Sequence, residues 1–168
     1  MDEYNNYKNI KIMEITNEYG LDPSKLTKEE LVKEITSIGD FATMGDCISY
    51  LYDIDKELTT QSLLKVMTTD KEDENYGDRF YQAMFLGAMF IDDEDSAILY
   101  TADNYTQMEV YVLAEAISNL TYVDGAKFAD LRNELKQYIE EKGMGYFKEL
   151  DDDDFFRDVV KEFLDSFK

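Results

Sequence analysis

Apolar residues recur along this chain at intervals of three and four rather than at every second position, the spacing that lines one face of an α-helix. The last segment shows it most cleanly, with Phe156, Val159, Val160, Phe163 and Phe167 on one predicted buried stripe. Asp151 to Asp154 precede it, where carboxylates accept free backbone N–H groups and offset the positive end of the helix dipole. Upstream, Phe128, Leu131, Leu135, Tyr138 and Ile139 predict another amphipathic helix, with Gly143 and Gly145 where its C-terminal cap falls. Thr27-Lys28-Glu29-Glu30 has capping-box spacing, and Leu31, Ile35 and Ile38 follow as a stripe. An earlier helix, roughly Glu3 to Glu18, is predicted to stop near Gly20 and Pro23.

The middle of the chain reads as three variations on one helix-turn-helix unit, starting near Met44, Arg79 and Met108. Ile54-Asp55, Ile91-Asp92 and Val123-Asp124 align as their turns, at separations of roughly 32 to 37 residues that suit helical-hairpin repeats. The segment from Arg79 to Ile91 is apolar almost all round, which predicts cover on several sides and a place in the middle of a stack. Gly87 inside it predicts close approach by a neighbouring helix. The expected fold is therefore all-α, a short HEAT-like stack of antiparallel hairpins with seven to nine helices. One domain is expected over residues 1–168, with capping helices in 1–43, repeats in 44–142 and a capping helix in 146–168.

Charge changes this picture from a fold to a class of function. Lysine and arginine total 17 against 38 aspartates and glutamates, a net charge of −21. Such a field repels nucleic-acid phosphates and anionic membrane surfaces and steers basic proteins inward, although acidity also serves solubility. With a single cysteine no internal disulfide forms, the N-terminal segment is acidic and polar rather than signal-like, and no apolar run is long enough to span a bilayer. The expected location is the cytoplasm.

Candidate chemistry is sparse. No histidine is present, which removes the commonest general base, the usual neutral metal ligand and every histidine-dependent nucleophile system. Cys47 shares a helical stripe with Met44, Ile48 and Leu51 and reads as core. Among so many acids, pairs of carboxylates arise by abundance alone. The stretch Asp70 to Gly77 fails as a calcium loop, because Ala83 falls where the bidentate glutamate belongs. No enzymatic role, cofactor or metal site is expected.

In a hairpin stack the turns within repeats share one edge. That edge carries Asp53, Asp55 and Glu57, then Asp92, Asp93, Glu94 and Asp95, then Asp124. The opposite edge carries Asp70, Glu72, Asp73, Glu74, Tyr76 and Asp78, followed by Asp103 and Tyr105, and Tyr100 joins these as a candidate contact. Tyrosines beside carboxylates supply rigid contact area with a hydrogen-bonding tip, and the same rings also serve as wedges between helices.

An acidic helical-repeat chain of this size, with Phe80-Tyr81-Gln82-Ala83-Met84-Phe85 running through Ile91-Asp92-Asp93, resembles the small HEAT-like immunity proteins with which bacteria neutralise polymorphic or contact-delivered toxins. The likeness spans Met44 to Gln137. It implies inhibition of a cognate toxin, often a basic nuclease, by covering its active surface, with the chain as a monomer or in a one-to-one complex. Two other readings share the electrostatics. A phage-type nucleic-acid mimic would inhibit a restriction or CRISPR nuclease through salt-sensitive charge pairs, whereas an immunity protein retains affinity in salt through buried aromatic anchors. A scaffold or adaptor would bind without inhibiting.

Overall fold

The computed structural model describes residues 21–37, 39–68, 79–148 and 155–168. They are all-α, as the periodicity predicts, with nine α-helices and two short 3-10 turns and no strand among the described residues. The predicted helix from Glu3 to Glu18, Ile38 and the capping role of Asp151 to Asp154 lie outside the described residues, as does the side chain of Phe156. The chain divides into two compact units, Met1–Gly77 and Asp78–Lys168.

The first unit contains α1 (Lys28–Thr36), α2 (Phe41–Ile54) and α3 (Lys56–Met67), each packed against the other two. The capping box starts α1: Glu30 N–H donates to Thr27 Oγ1 at 3.2 Å, and Thr27 N–H donates to the Glu30 carboxylate at 2.8 Å. Leu31 and Ile35 of α1 and Met44, Cys47, Ile48 and Leu51 of α2 are all buried, and the two helices pack on each other. Cys47 is fully buried, and desolvation, with Glu34 and Asp46 adding negative charge, pushes its thiol pKa up to about 11. Helix α3 buries three hydroxyls without leaving them unsatisfied. Thr59 and Ser62 donate to Asp55 O and Leu58 O, while Thr60 Oγ1 lies 3.1 Å from the Tyr52 hydroxyl.

The second unit contains α4 (Arg79–Asp92), α5 (Glu94–Asn104), α6 (Val110–Leu120), a 3-10 turn (Gly125–Phe128), α7 (Ala129–Lys142), α8 (Gly145–Lys148) and α9 (Phe155–Asp165). Its most enclosed helix is α6, which packs against α4, α8 and α9 and buries Val112, Leu113, Ala114, Ala116, Ile117 and Leu120. Helix α4 is less covered than its composition predicts. It packs on α5 and α6 through Ala83, Phe85, Leu86, Met89 and Phe90, while Phe80 and Ile91, near its two ends, are 46% and 80% exposed. The stripe of α7 is as predicted at four of its five positions, with Phe128 just before the helix and Leu131, Leu135 and Ile139 buried, while Tyr138 is only half-buried. Gly143 caps it at φ +77° and donates N–H to Ile139 O at 2.9 Å, whereas Gly145 begins α8 instead of ending α7.

Each unit holds one hairpin of the same construction. Helices α2 and α4 both have 14 residues, and a single aspartate joins each to the next helix. The joints share an extended-to-bridging backbone, φ −158° and ψ 83° at Asp55, φ −146° and ψ 64° at Asp93. In this register Cys47, Ile48, Leu51 and Tyr52 correspond to Phe85, Leu86, Met89 and Phe90, and all eight are buried. Asp55 thus corresponds to Asp93 and not to Asp92, one residue beyond the register suggested by matching Ile54 with Ile91. The third hairpin departs from the plan: Thr121 to Asp124 and the 3-10 turn separate α6 from α7.

Candidate partner-binding surface

In the second unit the helix termini sort the charged and aromatic side chains into two ends. Arg79 lies 3.9 Å from Glu109, and the rings of Phe80 and Tyr111 meet edge-on at 5.1 Å, so the first turns of α4 and α6 are neighbours. At the other end Lys127, in the 3-10 turn, reaches the first turn of α5, with Nζ 2.5 Å from Glu94 Oε1 and 4.0 Å from Asp95 Oδ1.

That second end is the acidic one. Asp92 closes α4 and is exposed, Asp95 projects into solvent, and Asp124 is exposed while accepting Ala126 N–H at 3.0 Å as the cap of the 3-10 turn. The Glu94 carboxylate first, then Asp95 and Asp124, hold the Lys127 ammonium above its usual pKa, so one cation serves three anions. Two apolar side chains stand in this acidic setting. Ile91 is 80% exposed beside Asp92, and Tyr122, two residues before Asp124, is 82% exposed. Burying either side chain against a partner would contribute about 1.5–3 kcal/mol, more than the roughly 0–1 kcal/mol of an exposed ion pair.

The structure treats the other candidate residues differently. Asp93 is buried at 8% exposure and belongs to the hairpin joint rather than to a contact surface. Asp55 is half-buried: its carboxylate accepts Leu58 N–H at 3.1 Å, caps α3, and pairs with Lys28 Nζ at 2.7 Å. The lysine hydrogen bond and the backbone N–H hold its pKa below the ordinary carboxylate value. Asp53 is exposed in the last turn of α2. Both Asp53 and Asp55 lie in the first unit, whereas Asp92 to Asp95 and Asp124 lie in the second. Tyr100 is half-buried along α5, where desolvation raises its hydroxyl pKa, and Asp103 is exposed in the last turn of that helix. Glu72, Asp73, Glu74, Tyr76 and Asp78 lie outside the described residues.

Tyr105 leads to a cluster that linear reading misses. Its ring meets Tyr138 edge-on at 5.3 Å, and Lys142 Nζ stands 5.4 Å from the centroids of both Tyr138 and Tyr146. Burial first, and then the charge of Glu134, raises the Tyr105 hydroxyl pKa. The available signal was the i, i+4 spacing of Tyr138 and Lys142 on one helix face. Between α7 and α9, a groove of about 610 Å³ places Lys136, Arg157 and Lys161 against Glu140, Asp158 and Asp165, so its lining is mixed in sign.

Among the described residues no group of three or more carboxylates and thiols is placed to hold a metal ion, and no helix is long and apolar enough to cross a membrane. No protein-family model matches the chain, no curated protein matches it, and no solved structure matches it.

Proposed function

We propose that this chain is a protein-binding inhibitor of the immunity type, which neutralises a basic toxin domain by covering its active or substrate-binding surface. The carrying observation is the acidic end of the second unit, where exposed Ile91 and Tyr122 stand among Asp92, Asp95 and Asp124. Carboxylates at that end steer a cationic surface inward and set its orientation, while the isoleucine and the tyrosine supply the desolvated contact that keeps it bound. Occlusion of this kind uses no catalytic group, which agrees with a chain lacking histidine.

The same observation favours a dedicated protein partner over nucleic-acid mimicry. Affinity carried by ordered carboxylates alone falls steeply with salt, whereas apolar anchors are insensitive to it. The test is a toxin-like domain encoded beside this chain, purified with it and assayed for its own activity. A one-to-one complex that persists at about 0.5 M salt and abolishes the activity is the expected result. Ile91→Ala and Tyr122→Ala should each weaken it about tenfold or more, as central interface residues do. Full toxin activity in the presence of excess protein overturns the proposal.

A further inference from the structure

The opposite end of the second unit carries aromatic rings rather than clustered aspartates, and a cation is already seated there. Lys142 Nζ stands at 5.4 Å from both the Tyr138 and Tyr146 centroids, with Tyr105 packed edge-on against Tyr138. The faces of phenol rings attract cations, and carboxylates reinforce that attraction here. The negative charges of Glu134 and Glu141 both act on the Tyr105 hydroxyl. The same end holds a finished example of this chemistry. The Arg79 guanidinium lies 5.0 Å from the Phe80 centroid and 5.3 Å from that of Tyr111, with Glu109 at 3.9 Å.

We propose that Tyr105, Tyr138 and Tyr146 form a receptor for the guanidinium group of an arginine side chain from another molecule, and that Lys142 is the internal cation holding its place. A guanidinium is planar and weakly hydrated and carries five donors, so it stacks on a ring while donating to a neighbouring carboxylate; an ammonium is compact and strongly hydrated and gives up water less readily. Arginine therefore displaces Lys142, whose long stem swings back into solvent. This site lies at the other end of the helices from Ile91 and Tyr122, and it stands or falls independently of the inhibitor reading.

The test is NMR on the full chain with ring-labelled tyrosine, titrated with N-acetyl-arginine methylamide and, separately, with the lysine and norleucine analogues. Saturable shifts of Tyr105, Tyr138 and Tyr146 with the arginine probe, weaker with lysine and absent with norleucine, are expected. Lys142→Ala, at an exposed position that leaves the fold intact, should tighten arginine binding about fivefold, the equivalent of one exposed cation–π contact. A glycine-flanked arginine pentapeptide should bind as the capped amino acid does. Equal response to norleucine, no saturable shift, or unchanged or weaker binding by Lys142→Ala overturns the proposal. Failure of the pentapeptide alone overturns the assignment to a protein side chain.

Discussion

A Cβ built on Gly87 would lie 3.6 Å from Oε1 of Glu115, so a carboxylate of α6 rests over the glycine of α4 at ordinary van der Waals distance. The space is sufficient for a methyl group. Gly87→Ala is therefore expected to stabilise the protein by about 0.5–1 kcal/mol through helix propensity and a less flexible unfolded chain. Chemical denaturation checks this, and a destabilised variant would show that α6 needs the bare backbone.

Glu115 itself is half-buried, and desolvation raises its pKa despite the hydrogen bond it accepts from Asn119. A carboxyl whose folded pKa lies above its unfolded value contributes stability at low pH that is lost as pH rises through the folded pKa. Glu115→Gln keeps an acceptor for Asn119 and removes the charge. It should raise stability at pH 7, by on the order of 1 kcal/mol or less because solvent screens the carboxylate, and lose that advantage below about pH 4. Melting temperatures of both proteins across about pH 3 to 8 decide it.

At Asp55 the sign is opposite. Its folded pKa is depressed by Lys28 and by Leu58 N–H, so its contribution is present above the unfolded value and disappears as pH falls through the folded one. Asp55→Ala should lower the melting temperature at neutral pH and lose less than the parent on acidification. Lys28→Met should reproduce only part of the effect, since the cap on α3 remains.

Cys47 should be inert in the native state, because its thiol is fully buried and its pKa stands at about 11. A disulfide reagent at pH 8 is expected to titrate no thiol without denaturant and one with it. Fast labelling of the folded protein would place Cys47 outside the core.

Gly143 adopts φ +77°, where an L side chain is strained. Gly143→Ala is expected to cost about 1 kcal/mol or more, in contrast to the gain at Gly87. Denaturation of the two glycine variants side by side measures the difference.

Helical stripes were legible because burial imposes a period: Leu31 with Ile35, and Leu131 with Leu135 and Ile139, lie where that period puts them. Caps were legible for the same local reason, as Thr27 with Glu30 and Gly143 show. The hairpin register was read one residue short because Ile91 resembles Ile54 in type, and Asp92 and Asp93 are both acids, so nothing local marks which one is the joint. Exposure of Ile91 and Phe80 was hidden too, since an apolar residue carries no record of whether a neighbouring helix reaches it. The Tyr105, Tyr138 and Tyr146 cluster depends on the end of α5 meeting α7 and α8, a tertiary fact without a linear signature.

The single-residue joints at Asp55 and Asp93 leave the chain no slack between paired helices. One extra residue taken into the first turn of the following helix would shift its register by about 100° and bring a different face toward the core. Extra residues are expected to disturb packing more at these two joints than between Leu120 and Gly125, where a longer connection already separates the helices.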